Sequence, residues 1–317
     1  MNDPTATLTG AARTALLLLI VLALGPLPAA AGTGGAGPED PAGAAAKKWP
    51  APDHPEFRNV TEEQTAANIT RLLPRPSGPS SNRQRYLDLM KLSLADLLYE
   101  NSAKGRAARV EGRDWPSRAY TMIGLHRLNN LQACVEDALA NDVPGDFIEA
   151  GAWRGGATIL MRAILETYAI TDRTVWVADS FEGLPKPNAG DYPADAGLDL
   201  SGVEFLAVSQ EEVERAFSRY GLLDDQVKFL KGWFKDTLPR APFEKLALAR
   251  LDGDLYESTM DGLVHLYPKL STGGCLIIDD YNIPAAARAV MDYRKEHGIT
   301  TPMTKIDANG VFWKKQP

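Results

Sequence analysis

The chain has 317 residues and carries 34 basic against 41 acidic side chains, a formal charge of −7. That excludes broad, sequence-blind nucleic-acid binding, which needs a basic footprint, and 44% hydrophobic with 24% charged residues excludes disorder throughout. Two cysteines, and four histidines without HExxH spacing, exclude a disulfide scaffold and a cysteine-built zinc cluster, so any metal site here uses oxygen ligands.

The first fifty residues are dominated by Ala, Gly and Pro, with no aromatic before Trp49. An apolar run at 14–24 follows Arg13, is broken by Gly25 and Pro26, and leads to Ala29, Ala30 and Ala31. Residues 14–31 read either as a secretory signal or anchor, or as part of an Ala-rich extension with a mis-set start. The run is too short for a comfortable transmembrane helix. Residues 1–82 are taken together as an N-terminal extension ending in a Pro/Ser/Gly linker at 74–82.

Leu87, Met90, Leu94, Leu97 and Leu98 fall at helical spacing and predict a helix over 85–99. Met122, Ile123, Leu125, Leu128, Leu131 and Val135 predict a second over 119–140. Between them, residues 101–116 read as a polar, Arg-rich loop, solvated or serving as a lid. Residues 83–144 form an N-terminal helical cap on this reading.

From Gly145 the pattern alternates. Strands are predicted at 146–150, 174–179, 227–230, 246–251, 275–278 and 311–313, with helices at 157–168, 211–220, 260–270 and 285–297. Such alternation predicts an α/β domain over 145–317 with a doubly wound, mostly parallel sheet. Ligands bind such sheets beyond the carboxyl ends of the strands, so the strand ends are read for chemistry.

The first strand ends in Glu149-Ala150-Gly151-Ala152-Trp153-Arg154-Gly155-Gly156, a turn open to a ligand but not the GxGxxG fingerprint. An acidic residue before the glycine suits a cationic ligand better than a phosphate. Asp179 closes the second strand, where a carboxylate can accept both ribose hydroxyls of a nucleoside. The fourth and fifth strands end in Asp252-Gly253-Asp254 and Asp279-Asp280. Adjacent strands would bring four carboxylates to one rim, and they cannot all ionise cheaply without a cation. Oxygen ligands of this kind point to Mg²⁺ or a similar hard ion.

The segments FIEAGAWRGGA, VADSFEGLP, LKGWFKDTLP, RLDGDLYEST and IIDDY resemble the macrocin O-methyltransferase family. The resemblance runs from about Tyr86 to Trp313. It implies a Rossmann-like class I methyltransferase fold, S-adenosylmethionine as cofactor, Mg²⁺, and a sugar hydroxyl of a glycosylated natural product as acceptor. Carried over by motif, Glu149, Gly151 and Trp153 would lie along the methionine part of the cofactor. Asp179 would bind the ribose, with Ser180 and Phe181 beside the adenosine and Gly232 and Trp233 at the adenine. Thr121 and Met122 would belong to a cofactor-covering stretch. Asp252, Asp279 and Asp280 would hold the metal, and Asp254 or Asp252 would be the base.

Other readings stay open. His126 and His265 are alternative bases, and His265 suits a packed helix position. A metal-dependent phenolic or catechol O-methyltransferase would need an aromatic slot, which Tyr256 and Tyr281 could supply. A non-catalytic S-adenosylmethionine-binding protein is a second rival, and a nicotinamide oxidoreductase is disfavoured by the missing fingerprint. The loops at 186–203 and 101–118 are expected to contact the acceptor, the first as a mobile lid. The chain is expected in the cytoplasm, where the cofactor is made, as a homo-oligomer without nucleic-acid partners. The segment at 14–31 leaves secretion or a membrane anchor open.

Overall fold

The computed structural model describes Ile69 and residues 71–73, 81–99 and 103–317. The signal-like segment at 14–31 lies outside the described residues. Ahead of the sheet lie α1 (Ser81–Leu94), α2 (Ala103–Glu111) and α3 (Leu125–Ala140). They are followed by β1 (Asp146–Ala150), α4 (Gly156–Thr167), β2 (Val175–Asp179), α5 (Gln210–Arg219), β3 (Val227–Lys231) and the short α6 (Phe234–Thr237). Then come β4 (Leu246–Leu251), α7 (Tyr256–Leu266), β5 (Leu270–Ile278), α8 (Pro284–Glu296), β6 (Thr304–Lys305) and β7 (Val311–Lys314).

The strands form one sheet in the order β3-β2-β1-β4-β5-β7-β6. β1 to β5 run parallel, and β7 is antiparallel to both β5 and β6. Side chains alternate between two apolar layers: Phe147 joins the layer under α1, α3 and α4, and Ile148 the layer under α7 and α8. This is the Rossmann-like, doubly wound class I methyltransferase architecture expected from the sequence. The strand order reverses between β1 and β4, so the crevice lies at their carboxyl ends. Among the described residues no helix is long and apolar enough to cross a membrane.

Several predicted elements shift, each for a local reason. The expected polar loop at 101–116 contains α2, whose Ala- and Arg-rich sequence favours helix. Its Arg109 is fully buried rather than solvated and donates to the carbonyls of Met122 and Ile123. The expected helix at 119–140 begins only at Leu125, because Gly124 sits in extended conformation as its N-cap. Residues 112–123 therefore run as an irregular strap. The expected helix at 260–270 starts earlier, at Tyr256, where Asp195 accepts the backbone N–H groups of Tyr256 and Glu257. Asp195 is completely buried, so the 186–203 segment is pinned to α7 at that point.

Candidate active site

A cavity of about 910 Å³ opens at the carboxyl ends of β1, β2, β4 and β5, roofed by the strap. It is lined by Thr121, Met122, Glu149, Gly151, Trp153, Asp179, Ser180, Gly232, Trp233, Asp252, Asp254, Asp279 and Asp280. Phe181 is absent from its wall: it sits at φ +59° and packs into the core against Phe229. The adenosine-side expectation for Phe181 is corrected accordingly. Its backbone N–H is instead the useful part, donating to Asp179 Oδ1 at 2.8 Å.

The turn after β1 is built to be tight. A Cβ on Gly151 would lie 1.8 Å from the Asp252 carbonyl oxygen, so the end of β1 can pass β4 only as glycine. Asp179 Oδ2 accepts from Ala152 N at 2.7 Å and Trp153 N at 3.1 Å, which aims its carboxylate across the turn. Burial pushes the Asp179 pKa up, and these backbone donors oppose the shift. Trp153 donates its indole N–H to the Phe205 carbonyl at 2.9 Å, and Phe205 stacks on Trp115 of the strap at 5.4 Å. Arg154 lies over the Trp153 ring and donates to the Ser117 and Ala119 carbonyls. The strap is thus clasped down from both sides of the cavity mouth.

Asp252, Asp254 and Asp280 converge: one carboxylate oxygen from each lies within 4.8 Å of the others. The Asp254 backbone N–H donates to Asp280 Oδ2 at 3.0 Å, from a left-handed φ of +56°. Burial, then the charges of Asp252 and Asp279, push Asp254 up to about 7. Burial and the charges of Asp252 and Asp254 hold Asp280 well above the usual carboxylate range. Such a set of crowded oxygen donors fits a hard divalent cation, whose charge would relieve this repulsion.

Asp279 lines the same cavity beside that cluster. Its Oδ2 is paired with Arg127, and its Oδ1 lies 2.5 Å from Arg250 Nη2. The same Arg250 nitrogen also meets Asp252, and the charge of Asp279 helps raise the pKa of Asp252, Asp254 and Asp280, so Asp279 belongs to the same electrostatic group. Arg250, fully buried, also pairs with Glu149 and with Asp252 at 2.9 Å. Burial works against its charge, but Asp279, Asp252 and Glu149 overcome this and raise its pKa well above normal. Glu149 is committed to Arg250 and to Thr158 N at 3.1 Å.

His126 and His265 do not line the cavity, nor do Tyr256 and Tyr281. His126 faces Glu111, and Tyr256 packs beside Tyr192. The aromatic slot imagined for a planar acceptor is therefore not formed by those two tyrosines. The functional arginines Arg127 and Arg250 were not read from sequence. Their signal was present: each interrupts an apolar stripe, Arg250 in LALARL of β4 and Arg127 among Leu125, Leu128 and Leu131 of α3. A charge placed there must be paired.

A model of the family described as Macrocin-O-methyltransferase (TylF) matches residues 77–315. The chain is 52% identical over 250 residues to the mycinamicin III 3''-O-methyltransferase of Micromonospora griseorubida, covering 75% of this chain and 98% of that one. It is 54% identical over 244 residues to the 8-demethyl-8-(2,3-dimethoxy-alpha-L-rhamnosyl)-tetracenomycin-C 4'-O-methyltransferase of Streptomyces olivaceus, covering 73% and 93%. Among solved structures it is similar to the O-methyltransferase NovP, with 51% identity, a TM-score of 0.72, and coverage of 74% and 100%. With this match over the folded part and this cavity at the strand ends, the chain belongs to the macrocin-O-methyltransferase (TylF) family and is an O-methyltransferase.

Proposed function

We propose that the enzyme transfers a methyl group from S-adenosylmethionine to a sugar hydroxyl of a glycosylated natural product, with Mg²⁺ held at the acidic rim. The observation that carries this is the convergence of Asp252, Asp254 and Asp280 in the same cavity as the Gly151 turn and Asp179. Relatives named for methylation of glycosylated antibiotics support the acceptor class.

Asp179 accepts hydrogen bonds from the ribose hydroxyls, and Gly232 and Trp233 border the base. Thr121 and Met122 of the strap cover the cofactor and exclude water. Asp252, Asp279 and Asp280 would hold the cation, with Arg127 and Arg250 orienting Asp279. When bound, the cation supplies Lewis acidity toward neighbouring hydroxyl oxygens. Asp254, on the same rim, is placed to take the proton from the attacking hydroxyl. When bound, S-adenosylmethionine would supply the methyl group to that oxygen and leave as S-adenosylhomocysteine, a transfer that needs positioning more than covalent help from the protein.

Calorimetric titration of S-adenosylmethionine, with Mg²⁺ and with chelator, tests the reading together with an acceptor screen on deoxysugar glycosides. Cofactor binding with chelator-sensitive methylation is expected. No cofactor binding in either condition would overturn the proposal.

A further inference from the structure

Three arginines hold the strap 112–123 by its backbone carbonyls. Arg109 takes Met122 and Ile123, Arg154 takes Ser117 and Ala119, and Arg127 takes Gly112 at 3.1 Å. Of the three, Arg127 also reaches the acidic rim, through Asp279 Oδ2. Its Nε donates to Asp307 Oδ2 at 2.9 Å. Asp307 Oδ1 accepts from Asn309 N at 2.8 Å and Gly310 N at 2.9 Å, folding the β6–β7 turn whose Ala308 and Asn309 line the cavity.

Arg127 thus joins three walls of the cavity, and the fit leaves no slack. It is 5% exposed. A Cβ on Gly112 (φ +65°) would lie 2.3 Å from Gly124 N and 2.7 Å from Arg127 Nη2. Three divergent acceptors match the planar guanidinium fork, whereas a lysine ammonium cannot span them.

We infer that Arg127 is a positioning residue that sets the cofactor cover and the cation rim together, so that both ligands depend on one side chain. This rests on the proposed reading of the cavity. The dependence follows from geometry: loosening the guanidinium frees the Gly112 end of the strap and releases Asp279 at the same time.

The test titrates S-adenosylhomocysteine into chelator-treated protein, and Mn²⁺ into cofactor-free protein, for the full chain, Arg127→Lys and Asp307→Asn. In Arg127→Lys both dissociation constants are expected to rise about tenfold, the scale seen when an outer partner of a metal ligand is lost. In Asp307→Asn, which removes one anchor at constant shape, both should rise a few-fold. A merely structural role would lower the melting temperature and leave both constants of the folded protein unchanged. An effect on one ligand alone, or on neither, overturns the inference. If Arg127→Lys does not fold, Asp307→Asn decides on the same criterion. If the unaltered chain binds neither ligand, the functional reading falls, and this inference with it.

Discussion

Replacing Arg250 by Met should be among the most damaging single changes in the domain. Arg250, Glu149 and Asp279 have side chains only 2%, 3% and 4% exposed. Asp279 keeps Arg127 after the change, so it is not orphaned. Glu149 keeps only Thr158 N and loses its counter-charge. Leaving one buried charge uncompensated costs about 3–5 kcal/mol. Arg250→Met/Glu149→Gln removes that charge as well and should recover most of the loss, giving a coupling of about 2 kcal/mol or more. The sign with pH follows. Burial already raises Glu149 to about 8 in the parent, with Arg250 opposing the shift, and Arg250→Met raises it further. The pH-dependent part of the deficit therefore appears only as pH rises through about 8, the parent's folded value, and is absent well below it. Urea denaturation of the four proteins of the cycle, at neutral and alkaline pH, measures this. A single variant within about 1 kcal/mol of the parent, or a double variant no better than the single, would refute the reasoning.

The acidic rim makes a contrasting prediction. Asp280→Asn should abolish Mg²⁺ binding yet raise the melting temperature in chelator, because burial and Asp252 and Asp254 already favour its neutral form. Asp279→Asn should lower the melting temperature, since it faces two arginines; scanning calorimetry separates them. Asp254→Asn should retain Mg²⁺ and cofactor binding while turnover falls about 10²–10⁴-fold, as for loss of a general base. Asp179→Asn should weaken cofactor binding about 10- to 100-fold, the range of a charged hydrogen bond, read by calorimetry. Trp115→Ala removes the stack on Phe205 and should raise the cofactor KM about 2- to 10-fold with kcat little changed.

How much was legible in the sequence follows from how local each signal is. β1, β2 and β4 are short apolar runs closed by acidic residues, and both their type and their ends could be read directly. The carboxylates Asp252, Asp254 and Asp280 were readable because parallel neighbours place their strand ends side by side. Three features were not local. α2 looked like a solvated loop because the burial of its Arg109 depends on carbonyls of a strap that is distant in pattern though near in chain. Asp195 looked like one carboxylate of a mobile acidic lid, but its two partners belong to α7, some sixty residues on. Asp279 looked like the equal of Asp280, and only Arg127, 152 residues earlier, and Arg250 distinguish them.

The last case carries the more general point. One of the pair, Asp280, joins Asp252 and Asp254, while its neighbour Asp279, in the same cavity, meets two buried arginines. A motif such as IIDDY states that two carboxylates are present at the rim. Which of them is left with unmet charge, and so has reason to hold a metal ion, depends on where the arginines fall. Here Arg127 and Arg250 pair with Asp279, and Arg250 pairs with Asp252 as well, so the carboxylates at the rim do not carry equal unmet charge. The arginines, as much as the aspartates, define the site.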